Sequence, residues 1–414
     1  MKISKKITSF LVLAALSMSF ICCASSSVGA GTENGGSTQG SGKDSGGEKD
    51  TSGGAAFNYK MIDFTPDSDH VRLLGRSIFT SGMVFMGYSS TGVEFNVSAK
   101  KLSVNMIGDS TARGSDNGSA ARIVAFINGE RKLDQMLINP MQEFVIFEGT
   151  DVVEGVVQIL KVSECSSSLA GIESICVDEE GTISATNPRD LKIEFIGDSI
   201  TCGYGVDDPI KENHFRTSTE DNTKTYAYKT AAALNADYSM VSISGWGIIS
   251  GYTGNGVKNE GSQLPKVYDK LGFTWGSSLG KTRPANVAWD FSVFQPDVVV
   301  INLGTNDASY TKGKADRIQE YTDAYVEFLR DIRSKNADAY IICCLGMMGQ
   351  DLYPAVDAAV TKYKAATGDE RICSLKFDNQ SFADGIAADW HPSEKTHTKA
   401  AAKLTAKVKE VLEK

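Results

Sequence analysis

Of the four histidines, His391 stands in the loop part of "ADWHPSEKTH", a stretch that leads from a strand-like run into a helical one. A neutral imidazole there can take a proton from an alcohol. The candidate alcohol is Ser199 in "EFIGDSIT", at the end of an apolar run. A serine hydroxyl is a weak nucleophile until a base removes its proton, so the two residues are useful only as a pair. The string Gly-Asp-Ser also occurs around Ser110, in "NMIGDST". There it opens a polar loop, "GDSTARGSDNGSA", and Ser110 reads as a hairpin serine. Ser199 has better company. "SISGWG" places Gly245 after one apolar run, and "INLGTND" places Asn306 after another. The backbone N–H groups of Ser199 and Gly245 and the side-chain amide of Asn306 are three donors for a developing oxyanion. The chemistry these types point to is nucleophilic attack through a tetrahedral oxyanion. The group that orients His391 is left open between Asp389 and a backbone carbonyl. Trp390 and Trp246 flank the two blocks; each either faces the substrate or fills the core. Asp198 and Asp307 can hold their turns through side-chain to backbone bonds. His70, His214 and His397 read as structural.

These groups meet only if the elements between them put the ends of several strands on one edge. "LKIEFIG", "YSMVSISG", "DVVVINLG", "AYIICCLG" and "RICSLKF" are strand-length apolar runs, with helical stretches over 225–234, 316–334, 354–366 and 394–414. Strand–helix alternation predicts a parallel sheet covered on both faces, with function at the carboxyl ends of its strands. This α/β domain is expected over 187–414. Pro392 and Ser393 open its last helix, with Ser393 as N-cap. An insertion, 252–291, separates two of the blocks and is long enough to wall a cleft. Upstream, 57–186 shows short apolar runs broken by Gly, Ser and Asn-Gly, which predicts antiparallel strands in a β-sandwich of jelly-roll type.

The chain begins with Lys2, Lys5 and Lys6 ahead of an apolar run, 7–21. That run is short for a membrane span and fits an export signal over 1–23. Cys22 or Cys23 would then carry lipid; cleavage after Ala30 is the alternative. A Gly/Ser-rich stretch over 24–56 reads as a disordered linker. The expected location is the cell surface or outer membrane as a lipoprotein, otherwise secreted or periplasmic. Export makes disulfides possible, and Cys165 and Cys176 are close enough in sequence to pair across a hairpin. Cys202, Cys343, Cys344 and Cys373 have no metal-ligand spacing and read as buried small hydrophobes. With 41% hydrophobic and 22% charged residues the composition is globular, and a net charge of −9 argues against nucleic acid. No metal or cofactor motif appears, and the only expected membrane contact is the lipid anchor.

Taken in order, "GDSITCGYG", "SISGWG", "LGTND" and "DWHPS" resemble the four blocks of the SGNH/GDSL hydrolases, over 191–414. With "RLLGR" near the start of the sandwich, the arrangement resembles the two-domain carbohydrate esterase family 2. The resemblance implies a flavodoxin-like α/β/α fold for the second domain. It implies Ser199 as nucleophile, His391 as base, and Ser199, Gly245 and Asn306 as the oxyanion hole. The implied substrate is an acetylated plant polysaccharide or oligosaccharide, such as acetyl xylan or glucomannan. The chain departs from the wider superfamily where the acid usually stands: that position is Ala388, with Asp389 one residue closer to the histidine. Other esters, lipid or thioester, are the nearest alternative substrates. A surface carbohydrate-binding protein with a degenerate hydrolase site is the alternative from another class.

Overall fold

The computed structural model describes residues 59–413. The export-signal and linker readings for 1–23 and 24–56 lie outside the described residues. The first ten strands are β1 (Met61–Phe64), β2 (Arg72–Leu74), β3 (Ile78–Thr80), β4 (Met83–Met86), β5 (Thr91–Gly108), β6 (Ala121–Ile127), β7 (Glu130–Leu137), β8 (Met141–Lys161), β9 (Ala170–Asp178) and β10 (Thr182–Ala185). All their pairings are antiparallel, in one continuous sheet that closes on itself as a sandwich. The closure is written in β5. Its buried apolar side chains are Val93, Phe95, Val97 and Ala99, then Leu102, Val104 and Met106. The inward parity switches from odd to even where the pairing with β8 breaks register between Ala99 and Lys101. The freed N–H groups of Lys100 and Lys101 donate to the Asp178 carboxylate at 2.6 and 3.0 Å. Both halves of β5 thereby face one core.

Five further strands follow: β11 (Lys192–Gly197), β12 (Asp237–Ser242), β13 (Val298–Asn302), β14 (Tyr340–Met347) and β15 (Ile372–Asn379). They form a parallel sheet in the order β12-β11-β13-β14-β15, which is the flavodoxin-like arrangement. Its helices are α1 (Ser199–Cys202), α2 (Tyr226–Ala233), α3 (Thr305–Thr311), α4 (Ala315–Lys335), α5 (Tyr353–Thr367) and α6 (Glu394–Leu412). The strands alternate between two cores. Val299, Ile301, Cys343 and Leu345 pack with Tyr325 and Leu329 of α4, whereas Val298, Val300, Ile342 and Cys344 pack with Leu404 and Val408 of α6. Cys343 and Cys344 are thus buried hydrophobes on opposite faces. Cys165 and Cys176 are free thiols, so the pairing that their spacing allows is not made. Cys176 sits on β9 within 3.3 Å of the Asn105 amide.

The two halves are cemented by the "RLLGR" segment. Arg72 pairs with Glu94 and with Asp237 at the start of β12, and Arg189 reaches the same two carboxylates. Arg76 is fully buried, donates to the carbonyls of Tyr268 and Lys270, and pairs with Glu194 at 3.2 Å. This explains the charged residue inside β11: Glu194 answers a cation from the sandwich, since a buried charge is tolerated only when paired. The 252–291 insertion has short 3₁₀ turns and isolated bridges. Its Leu271, Leu279 and Trp289 join Met83, Phe85 and Leu169 in an apolar cluster, so it seals the junction between the halves.

Candidate active site

β11 lies beside both β12 and β13, so the residues leaving these three strands converge on one edge. Asp198 caps α1, accepting the Ile200 N–H at 3.0 Å, and so puts Ser199 at the first position of a single helical turn. The turn needs Gly197: a Cβ there would lie 2.0 Å from the Thr201 hydroxyl. Ser199 is buried, and its Oγ is 2.9 Å from Nε2 of His391. Ser110 has no such partner; it is exposed in a turn built by Asp109, whose carboxylate accepts the Thr111 N–H.

His391 leaves a short turn in which Asp389 (φ 47°) and Trp390 (φ 63°) are both left-handed. Such angles cost energy for side-chain-bearing residues and persist only when surroundings enforce them. Here the Ala388 and Asp389 N–H groups donate to the carbonyls of Asp208 and Asn213, and the Trp390 carbonyl accepts from the Gln380 amide. The turn aims the Asp389 carbonyl at Nδ1 of His391, 3.1 Å away. It sends the Asp389 carboxylate the other way, to the Tyr204 hydroxyl (2.8 Å), His214 Nδ1 (3.0 Å) and the Phe215 N–H (2.9 Å). Of the two orienting groups left open, the structure sets the Asp389 carbonyl, and not its carboxylate, against the imidazole, which corrects the reading of Asp389 as the catalytic acid. The contacts are those of a Ser-His pair whose imidazole is oriented by a backbone carbonyl. Tyr204, which the sequence reading overlooked, stacks on the His391 ring at 4.0 Å and hydrogen-bonds to Asp389. Its only sequence signal was its place five residues after Ser199 in "GDSITCGYG".

A carbonyl can only accept, so Nδ1 carries the proton and Nε2 presents its lone pair to the Ser199 hydroxyl. Burial pushes the His391 pKa down to about 4, which keeps the ring unprotonated near neutrality, with the Nε2 lone pair free to accept a proton. Burial alone would raise Asp389, but hydrogen bonds from His214, Tyr204 and Phe215 hold it below the usual carboxylate range. Two expectations follow. Asp389→Ala should lower kcat by no more than about tenfold, against about 10⁴ for a true triad acid, because it loosens the turn without removing the orienting carbonyl. Steady-state kinetics on an acetate ester check this; a thousandfold loss would restore the carboxylate to the mechanism. The acid limb of kcat/KM should also lie well below the ordinary histidine value. The active form is neutral, so activity persists as pH falls through 6.5 and disappears only towards about 4. A pH-stat profile with a limb at 6.5 or above contradicts it.

Asn306 is buried, and its Nδ2 donates to the Trp246 carbonyl at 2.7 Å and lies 3.3 Å from the Asp198 carboxylate, next to Ser199. Asp307 accepts the N–H groups of Ile248, Ile249 and Ser250, which anchors the β12 loop to α3. Burial pushes Asp198 up to about 7 and Asp307 up to about 6. Along 243–250 each N–H but one has a partner among the described residues: Gly197, Glu164, Ile243, Ser262 and Asp307 take the others. The unpartnered one belongs to Gly245. Its φ of 80° favours glycine, and a Cβ there would meet nothing within 4 Å. Trp246 is corrected as a substrate-facing ring: it is 2% exposed, with its ring against Phe273, and contributes only its carbonyl. Trp390 is half exposed, edge-on to Phe382 and beneath the Lys211 ammonium. His397 is buried and accepts the Tyr226 N–H; His70 pairs with Asp67. A serine paired with an imidazole, with an unpartnered glycine N–H and a fixed amide at the ends of the adjoining strands, has the groups needed for nucleophilic attack on an acyl carbonyl.

The profile of the GDSL-like Lipase/Acylhydrolase family matches residues 193–404, just over half of the chain. The chain is 31% identical over 364 residues to the cellulase/esterase CelE of Acetivibrio thermocellus, covering 84% of this chain but 40% of that protein. It therefore spans well under half of that relative's length. Among solved structures, a family two carbohydrate esterase from Clostridium thermocellum in complex with cellohexaose has 29% identity and a TM-score of 0.71, covering 83% of this chain and 99% of its own. The acetyl xylan esterase Est2A from the rumen bacterium Butyrivibrio proteoclasticus has 25% identity and a TM-score of 0.75, covering 86% of this chain and 98% of its own.

Proposed function

Because the chain belongs to the GDSL-like lipase/acylhydrolase family, we propose that it is a serine esterase that removes O-acetyl groups from polysaccharides or oligosaccharides. The observation that carries this reading is the 2.9 Å contact between His391 Nε2 and Ser199 Oγ. His391 takes the hydroxyl proton as Ser199 Oγ attacks the acetyl carbonyl. The tetrahedral oxyanion is met by the N–H groups of Ser199 and Gly245 and by the Asn306 amide. Collapse passes the proton to the departing sugar oxygen and leaves an acetyl-enzyme. Water, activated by the same imidazole, hydrolyses it. Trp390, beside the base, offers its exposed ring to a sugar face. The names of CelE, the family two esterase and Est2A support a carbohydrate substrate. The intact dyad speaks against a degenerate site that only binds glycan.

The test is release of p-nitrophenol from its acetate and from longer-chain esters, followed by acetate release from acetylated xylan and glucomannan. Preference for acetate is expected; faster turnover of long chains would favour a lipid or thioester substrate. We further propose export, with lipid on Cys22 or Cys23 and the 24–56 stretch as tether. Mass spectrometry of the N-terminal peptide from the membrane fraction checks it; an unmodified terminus after Ala30 would replace the anchor by a soluble exported form.

A further inference from the structure

The turn that carries Gly245 is held from the other half of the molecule. The N–H of Ser244 donates at 2.8 Å to Oε2 of Glu164, a residue of the sandwich just beyond β8. The same oxygen lies 3.8 Å from the Cys202 thiol at the end of α1, and that thiol donates to the Ser242 hydroxyl at 3.2 Å. One carboxylate thus touches the helix of the nucleophile and the turn of the oxyanion donor. Its own backbone is clamped. The Glu164 N–H donates to Glu220 at 2.8 Å, and its carbonyl accepts from the buried Lys161 ammonium at 3.0 Å. Lys161 also donates to the carbonyls of Gly87 and Ser163. On the far side of the turn the Gly245 carbonyl accepts the Tyr252 N–H at 2.8 Å. The peptide groups around Gly245 are pinned fore and aft, and along 243–250 its N–H alone has no partner among the described residues. A carboxyl group 3% exposed is expensive to bury, and its acceptor capacity here goes to the residue next to the donor.

We propose that Glu164 is a positioning residue for the oxyanion site, which makes the β-sandwich part of the catalytic machinery. It holds Ser244 and so fixes the direction of the Gly245 N–H. The effect is one of reach rather than charge, since the Glu164 carboxyl accepts at Oε2 whether or not its other oxygen is protonated. The inference rests on the reading of Ser199 as an ester-cleaving nucleophile.

Three full-chain variants test it. Glu164→Asp keeps the charge but draws the acceptor back by one methylene. Glu164→Gln keeps an acceptor at the same reach without the charge, and Glu164→Ala removes both. On p-nitrophenyl acetate, Asp and Ala should lose at least about tenfold in kcat with KM within about twofold, whereas Gln should recover to within about threefold of wild type. Affinity for a boronic acid whose tetrahedral adduct on Ser199 presents an oxygen to the oxyanion site should fall in step with kcat, a coupling that a purely structural role would not produce. Wild-type kcat in Glu164→Asp overturns the proposal, as does a joint fall of kcat, KM and folding temperature in Asp and Gln alike. If Glu164→Ala does not fold, the Asp and Gln pair decides. Activity that survives Ser199→Ala overturns the nucleophile reading and this proposal with it, and is told apart by that variant alone.

Discussion

Ser199→Ala is expected to lower kcat on an acetate ester by at least about a thousandfold and to leave the folding temperature unchanged. The hydroxyl has one side-chain partner, the imidazole of His391, and no role in capping α1, which falls to Asp198. Its removal deletes the attacking atom without disturbing the turn. Polar groups gathered for chemistry rather than for packing often leave stability neutral or improved when one is deleted. The residual rate would come from the Gly245 and Asn306 donors acting on attack by water. Acetate release from the purified variant, beside a thermal melt, checks both halves. Turnover within tenfold of wild type would mean that another residue attacks, and the dyad would be a coincidence of packing.

His391→Ala should cost nearly as much, about a thousandfold in kcat, because Ser199 then has no base within reach. The closest alternatives are elsewhere. His214 is exposed and engaged with Asp389, and His397 is buried against Tyr226. The variant has a further signature. The imidazole is stacked on Tyr204, which itself stacks on Phe215 at 4.2 Å, so its deletion leaves a ring-sized space bounded by an aromatic face and by the Asp389 carbonyl. Added imidazole should enter it and restore part of the rate in a saturable way. No rescue together with near-normal turnover would show that proton transfer does not pass through this position. Set beside the mild loss expected of Asp389→Ala, the pair of results separates a dyad from a triad.

Much of this was legible in the chain. The alternation of five apolar runs with helical stretches identified a parallel sheet. Four of its helices fall within a residue or two of the ranges expected, and the short α1 and α3 were missed because four and seven residues are too few to show a periodicity. Ser199, Gly245 and Asn306 follow the ends of β11, β12 and β13, and His391 lies in the loop between β15 and α6. The register break in β5 was not legible, since Lys100 and Lys101 look like an ordinary polar interruption.

What the sequence by itself determined was which residue types could react and on which edge they must gather. Strand polarity sets that edge, and strand polarity follows from local pattern. What only the tertiary structure decided was how each side chain is aimed. Asp389 and Trp390 are adjacent to the base in sequence, yet two left-handed backbone angles, enforced by Asp208, Asn213 and Gln380, turn a carboxylate away and a carbonyl in. Trp246 and Trp390 read alike in one dimension; one is core and the other half exposed because only one has Phe273 and the β12 loop packed around it. Glu164 reads as an ordinary acidic residue of the sandwich. Its place beside Ser244 depends on how two halves dock, through Arg72, Arg76 and the inserted loop, and contacts that distant in sequence leave no local trace in it.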